Sequence, residues 1–231
     1  MAFGPHPDDI ELGCAGTLIK LARAGRSVVL VDLTRGELST RGTVEIRARE
    51  AAESARLMGV AARVNLGLED GDIRNTPAAR REVIRVLRRY RPRAVLLPYH
   101  SDRHPDHVHA SRLLYDAVFS AGLKRIEDGQ ESFRPSRLLY YMLWEEFEPS
   151  FVVDITAEHE LKMRCIAAFD SQFGSDRSYD NTRLNSEEFA WKLQVRMGYY
   201  GSRIRVRYGE PFLIYGTLEM ESPLDARFSS F

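Results

Sequence analysis

Short apolar runs rich in Val, Ile and Leu alternate along this chain with longer stretches of helical period. That alternation is the strongest constraint on its fold. The strand-like runs are 27–33 (SVVLVDL), 63–68, 94–99 (AVLLPY), 138–143, 151–155 and 211–218. Helical patterns occupy 10–24, 43–58, 77–90, 106–121, 157–169 and 186–199. Parallel strands need a crossover of a dozen or more residues, normally a helix. Strands covered on both faces also read as near-continuous apolar runs. The expected architecture is α/β, a mostly parallel sheet with helices on both faces and ligands at the carboxyl ends of its strands.

The 231 residues amount to about one and a half typical domains of roughly 150. With no internal repeat and no linker, they are expected to form a single α/β domain over residues 1–231. Residues 127–137 and 174–185 are polar and lack a clear period, so both read as surface loops, the second suited to a lid. Only Met1–Gly4 is left for a first strand, fewer than the usual five or six residues. An apolar strand segment upstream of Ala2 is therefore expected.

Charge and cysteine content exclude several functions. Lys plus Arg and Asp plus Glu both total 33, a formal net charge of zero, which argues against a generic partner of nucleic acid or an anionic membrane. Two cysteines, Cys14 and Cys165, imply no disulfide framework and fit a reducing cytoplasm. No apolar run approaches the roughly 18 residues of a membrane span.

The residues that carry chemistry sit in two motifs, His6-Pro7-Asp8-Asp9 and His104-Pro105-Asp106-His107. Each follows a strand-like run and opens a helix. If the strand order is 3-2-1-4-5, the two turns face each other across the crevice where the order reverses. A catalytic zinc takes three His or carboxylate ligands and keeps a position open for water. His6, Asp9 and His107 supply two imidazoles and a carboxylate. Asp8 stays free beside them to accept a proton, His104 can face a developing oxyanion, and Asp106 can orient an imidazole. Read singly, Asp8 or Asp9 is an ordinary helix-capping residue. His100, His109 and His159 read as structural or solvent-facing, and Cys14 as a small buried residue. The Gly-, Ser- and Thr-rich segment 34–43 (TRGELSTRGT) should lie at the same sheet edge. One arginine of the helix after it is suited to hold a carbonyl or carboxylate.

At these residues the sequence resembles the LmbE-like (PIG-L) N-acetylglucosaminyl deacetylases over nearly its whole length. Three stretches, 33–43, 98–107 and 199–212, with Ser171-Gln172-Phe173 before the last, resemble the subgroup of bacillithiol biosynthesis. The resemblance implies a Rossmann-like fold and hydrolysis of an acetamide, most specifically that of N-acetylglucosaminyl malate. It implies His6, Asp9 and His107 as ligands of zinc or another divalent transition metal, and Asp8 as general base. His104 would stabilise the oxyanion or protonate the leaving amine, and Arg47 would lie near the substrate. The malate carboxylates need cations, for which Arg41, Arg103 and Arg177 are candidates. The mycothiol-pathway relatives carry a Tyr where this chain has Asp102. Homo-oligomers, often hexamers, are implied for the family.

Three other readings differ in chemistry. One is a deacetylase of other N-acetylglucosamine conjugates or chito-oligosaccharides. The second is a metal phosphoesterase, because Asp/His clusters also build two-metal sites. The third is a non-catalytic nucleotide binder, but Gly13 and Gly16 fall inside a helical pattern and not in the phosphate-binding turn. Finally, Arg203, Arg205 and Arg207 alternate as if along a late strand, with a solvated face or a subunit contact as their role.

Overall fold

The structure, a computed structural model, describes residues 1–175, 178–217, 219 and 221–222. Its strands are β1 (Ala2–Gly4), β2 (Val29–Thr34), β3 (Ala62–Leu68), β4 (Ala94–Pro98), β5 (Arg137–Tyr141), β6 (Phe151–Asp154) and β7 (Gly209–Leu213). The helices are α1 (Asp9–Arg23), α2 (Val44–Met58), α3 (Pro77–Tyr90), α4 (Pro105–Ala121), α5 (His159–Ala167), α6 (Asp170–Phe173) and α7 (Glu187–Arg203). One seven-stranded sheet runs in the order β3-β2-β1-β4-β5-β7-β6. The first five strands of that order pair in parallel, and β7 pairs antiparallel with both β5 and β6. Among the described residues no helix is long and apolar enough to cross a membrane.

The period-two geometry of a strand sorts its side chains between two cores. From the central strands, Phe3, Val31 and Leu97 point to one face and pack with α3 and α4 through Val83, Leu87, Leu113 and Leu114. Their neighbours Ala2, Leu30 and Leu96 point to the other and meet α1, α5 and α7 through Ile10, Leu18, Ile166 and Leu193. Both faces are covered, which is why these strands read as unbroken apolar runs. Helix ends follow local chemistry. Thr43, Thr76 and Ser186 each accept an N-cap hydrogen bond, and Gly59 ends α2 in a left-handed conformation.

One local expectation is corrected. Arg203 closes α7, while Arg205 and Arg207 lie in the turn before β7, and Arg205 has φ 59°. The helical period continues through Tyr199, Tyr200 and Gly201, so no late strand displays the three arginines. The helical pattern over 157–169 is the helix α5, His159–Ala167, and a separate short helix, α6, begins after it at Asp170. Residue 218, the end of the last strand-like run, lies outside the described residues.

Helix α1 is broken at Cys14, whose φ of −149° and ψ of 16° are not helical. Close approach explains the small residues on either side. A Cβ on Gly13 would lie 2.2 Å from the Tyr141 ring, and one on Gly16 would lie 2.8 Å from Ile155. The break frees backbone groups that must find partners elsewhere. The Glu210 carboxylate accepts from Gly16 N (2.8 Å) and Thr17 N (2.7 Å). The Lys162 ammonium donates to Leu12 O (3.0 Å) and pairs with Glu210 at 2.7 Å. The first turns of α1 are thus seated by α5 and β7.

Candidate active site

Because β2 and β3 lie on one side of β1 and β4 and β5 on the other, the sheet order reverses between β1 and β4. The turns after these two strands meet there. The first turn is pinned at its start, where Pro5 O accepts from both the backbone and the hydroxyl of Thr34, each at 3.0 Å. It closes on itself as Asp9 Oδ2 accepts from His6 N (2.9 Å). Between them Asp8 takes φ 122°, a region that non-glycine residues rarely occupy and that marks stored strain. The second turn opens α4 with His104 as N-cap and Pro105 in the first helical turn, where a missing N–H costs nothing.

The two turns bring three imidazoles and a ring of carboxylates together. His6 Nδ1 lies 3.1 Å from Asp9 Oδ2, and His107 Nε2 lies 3.4 Å from Asp9 Oδ1. Donor atoms of His6, Asp9 and His107 all fall within 4.8 Å of one another. A second trio, His6, His104 and Asp106, meets the same limit. On its far side His6 Nε2 faces Asp70 Oδ1 at 3.1 Å and Asp106 Oδ2 at 3.4 Å, and His107 Nδ1 faces Asp102 Oδ1 at 3.2 Å.

The electrostatics fit a cation. Burial opposes charge on every one of these groups, yet His107 and His6 hold Asp9 well below the usual carboxylate range. Against the same penalty, Asp106, Asp70 and Asp9 push His6 well above an ordinary imidazole, and Asp9 and Asp102 raise His107 to about 9. Two imidazoles, one buried and one largely so, drawn toward protonation by a surplus of carboxylates are groups whose charge balance a divalent ion would complete. Two nitrogens and one oxygen are also the donor set of a catalytic zinc. His6, Asp9 and His107 therefore fit the metal that their spacing suggests.

Two further groups have distinct protonation chemistry. Burial pushes the Asp8 carboxyl up to about 7, against the pull of Arg47. Arg47 Nη2 donates to Asp8 Oδ2 at 2.9 Å and also to Pro7 O, while its Nη1 donates to Ser39 Oγ at 3.0 Å. Burial, followed by repulsion from His107 and His6, pulls His104 below the usual imidazole value. Its Nδ1 accepts from Asp106 N at 3.2 Å. A neutral ring whose Nδ1 accepts must carry its proton on Nε2.

All of His6, Asp8, Asp9, Arg47, Arg103, His104 and His107 line one cavity of about 300 Å³. Asp106 stands beneath it, accepting from Gly71 N (2.7 Å) and facing His6. The imidazole it orients is therefore His6, and only its backbone touches the His104 ring. Arg41 is not brought to the cavity. It is fully buried, and its guanidinium donates to the carbonyls of Ser171 (2.6 Å), Asp180 (3.0 Å) and Gly174 (3.1 Å). It fastens one loop to another and is not offered to a substrate carboxylate. Arg103 lies at the cavity with its guanidinium 3.9 Å over the Trp144 ring. Arg177 lies outside the described residues.

His100 meets Tyr99 and Tyr215, and His159 stacks on Tyr208 at 3.6 Å. Cys14 is buried in α1. Sequence reading gives no role to Asp70, one of three acids in Glu69-Asp70-Gly71-Asp72, or to Asp102, noted only as standing where relatives carry a Tyr. Their positions after β3 and β4, at the carboxyl edge of the sheet, were the available signal. Asp102 also accepts from His104 N (2.9 Å) and Trp144 N (3.1 Å), which fixes it against His107. Carboxylates that orient a metal-ligating imidazole typically govern affinity by roughly 10–100-fold. Asp102→Ala should weaken metal binding by about that factor in a chelator competition, and unchanged affinity would leave Asp102 only the loop to hold.

Residues 1–118 match the family model described as PIG-L: GlcNAc-PI de-N-acetylase. The chain belongs to the PIG-L family. Among PIG-L relatives, the diacetylchitobiose deacetylase of Thermococcus kodakarensis is 34% identical over 190 residues, covering 76% of this chain and 70% of the relative. Two solved structures share the PIG-L architecture described above. The conserved protein TT1542 of Thermus thermophilus superposes with a TM-score of 0.87 at 38% identity, covering 95% of this chain and 96% of its own. The N,N'-diacetylchitobiose deacetylase of Pyrococcus horikoshii, in complex with its inhibitor MPG, does so with a TM-score of 0.81 at 30% identity, covering 92% and 82%.

Proposed function

We propose that this PIG-L protein is a metal-dependent deacetylase that hydrolyses the acetamide of an N-acetylglucosamine derivative. The observation that carries this reading is Asp8. It is a buried carboxylate, strained in its backbone and gripped by Arg47, and it opens onto the same cavity as the His6, Asp9 and His107 donor set. Zinc or another divalent transition metal held by those three residues would supply Lewis-acid polarisation of a carbonyl and a lowered pKa for water. The chain's own residues do the rest. Asp8 takes a proton from the attacking water, with Arg47 fixing which carboxylate oxygen is free. The Nε2–H of neutral His104 donates to the oxyanion that forms on the acetamide carbon. As the C–N bond breaks, Asp8 returns the proton to the leaving amine, and acetate and a glucosaminide depart.

Within that class, a chito-oligosaccharide is supported by the 34% identity to a diacetylchitobiose deacetylase. A second reading, N-acetylglucosaminyl malate of bacillithiol biosynthesis, rests on Arg103 and Arg183 at the cavity wall. Acetate release from N-acetylglucosamine, N,N'-diacetylchitobiose and N-acetylglucosaminyl malate ranks these substrates. Release from none of them would end the deacetylase reading.

The metal has its own test. The purified protein should contain about one divalent ion per chain. Chelation should abolish acetate release and readdition should restore it. His6→Ala and His107→Ala should each lose the ion by elemental analysis. A metal-free wild type with full activity would remove the ion from the reaction.

A further inference from the structure

Arg47 grips Asp8, and the setting of Arg47 itself comes from outside the two motifs. Its Nη2 is engaged by Pro7 O and Asp8 Oδ2, and its Nη1 donates to Ser39 Oγ at 3.0 Å. Nε is buried without a partner among the described residues. The turn of the guanidinium about the Asp8 carboxylate therefore rests on Pro7 O and Ser39 Oγ. Ser39 has a single hydroxyl proton, which it donates to Gln172 Oε1 at 2.9 Å, so its lone pairs are left to face Arg47. The Gln172 amide is held one way round, because its Nε2 donates to Arg41 O (2.7 Å) and Ser171 Oγ (3.0 Å). Ser171 donates in turn from its N and Oγ to the Glu50 carboxylate, at 2.6 and 2.7 Å. Glu50 lies on α2, one turn beyond Arg47. The hydrogen bonds thus leave α2 at Arg47, pass through Ser39, Gln172 and Ser171, and return to it at Glu50.

The segment 34–43 does not depend on this circuit for its attachment, since Arg41 already ties it to the carbonyls of Ser171, Gly174 and Asp180. What Ser39 adds is direction. It keeps Nη1 on the segment, so that a single nitrogen, Nη2, engages Asp8, at Oδ2. A guanidinium readily offers two nitrogens side by side to a carboxylate. In that arrangement both oxygens of Asp8 would be engaged and neither would be open to a proton. The backbone of the same segment closes on the guanidinium at Gly36, where a Cβ would lie 3.0 Å from Arg47 Cζ. Buried hydrogen bonds in series polarise one another, which makes the direction of each one matter to the next. Gln172 and Ser171 are buried, and Ser39 and Gln172 stand at the wall of the catalytic cavity.

We propose that Ser39, oriented by Gln172, is a positioning residue: it turns the Arg47 guanidinium so that one oxygen of Asp8 stays open to the attacking water. The proposal rests on the deacetylase reading and deepens it by naming what keeps the base available. Two measurements separate the two. The first follows kcat and KM for acetate release from the best of the three sugars above. Ser39→Ala should lower kcat by about ten- to a hundredfold, the scale of a misplaced reacting group, with KM and metal content unchanged. Gln172→Leu should do the same, and Ser39→Thr, which keeps the hydroxyl, should retain the wild-type kcat. In an Arg47→Ala background Ser39→Ala should cost nothing further, because no guanidinium is left to turn. An unchanged kcat in Ser39→Ala, a rise in KM at constant kcat, equal losses in Ser39→Ala and Ser39→Thr, or losses that multiply in the double variant each overturn the proposal.

The second measurement needs no substrate. Crystal structures of wild type and Ser39→Ala should show the Arg47 guanidinium turned away from segment 34–43 in the variant, while Arg41 keeps the segment in place. A guanidinium that holds its orientation without the Ser39 hydroxyl overturns the proposal. If none of the sugars releases acetate, the deacetylase reading fails and the structural comparison alone decides whether Ser39 positions Arg47.

Discussion

Asp8→Asn should lower turnover by about 10²- to 10⁴-fold, the range of a lost general acid–base group, while the metal content of the protein is unchanged. The substitution keeps the shape of the side chain and leaves an amide oxygen to accept from Arg47, which now holds Asp8 at 2.9 Å. What it removes is the ability to take a proton. Retained metal is the second half of the prediction, because the ligand role falls to Asp9, one residue along the chain and facing both imidazoles. On the proposed reading, two adjacent aspartates divide the work. Asp8 faces Arg47 in a site where burial holds its carboxyl near 7, and Asp9 is kept ionised by His107 and His6. Pairs of acids whose surroundings push their protonation apart are how one site runs both roles. If Asp8→Asn retained full turnover, the proton would have to leave by another group. If it lost the metal, the ligand assignment would be wrong.

Why the two motifs were legible and their supports were not is a matter of distance along the chain. Residues 6–9 and 104–107 fall between a strand and a helix, so chain order alone places them at the sheet edge, and the position of β1 beside β4 does the rest. Asp70 and Asp102 join the same cluster through loop conformations that no periodicity encodes. Arg41 shows the opposite error. In a Gly- and Ser-rich loop it reads as a free cation, but Ser171, Gly174 and Asp180, far along the chain, turn carbonyl groups toward it, and a buried guanidinium is the side chain with enough donors to satisfy all three. The late arginines alternate in the sequence, yet the chain turns at Arg205, so alternation there carries no strand.

The break in α1 was also hidden, and it leads to the largest expected loss of stability. The sequence reads as one helix through Gly13 and Gly16, but the close packing of Tyr141 and Ile155 at these glycines accompanies a helix that is interrupted at Cys14. Lys162 and Glu210, each 1% exposed, are then the partners of the freed backbone groups and of each other. Removing one member of a buried ion pair leaves the other charged and unpaired, at a cost of about 3–5 kcal/mol. Lys162→Met and Glu210→Gln should each destabilise the fold by about that much in denaturant unfolding, or lower Tm by about 6–20 °C for a chain of this size.

The double variant should recover part of the loss, because neither charge is then stranded, though Gly16 N and Thr17 N still need partners, while Leu12 O keeps Arg196 Nη2 at 3.3 Å. Additive losses in the double variant would mean that the pair is two independent caps and not one coupled unit. The consequence reaches the reaction. Asp8, Asp9 and Leu12 all sit on the amino-terminal side of the break, and the Lys162–Glu210 pair bridges it, with Lys162 on Leu12 O and Glu210 on Gly16 N and Thr17 N. A variant that stays folded at low temperature should therefore show weaker metal binding than wild type, since His6 and Asp9, two of the three proposed ligands, lie on that side of the break.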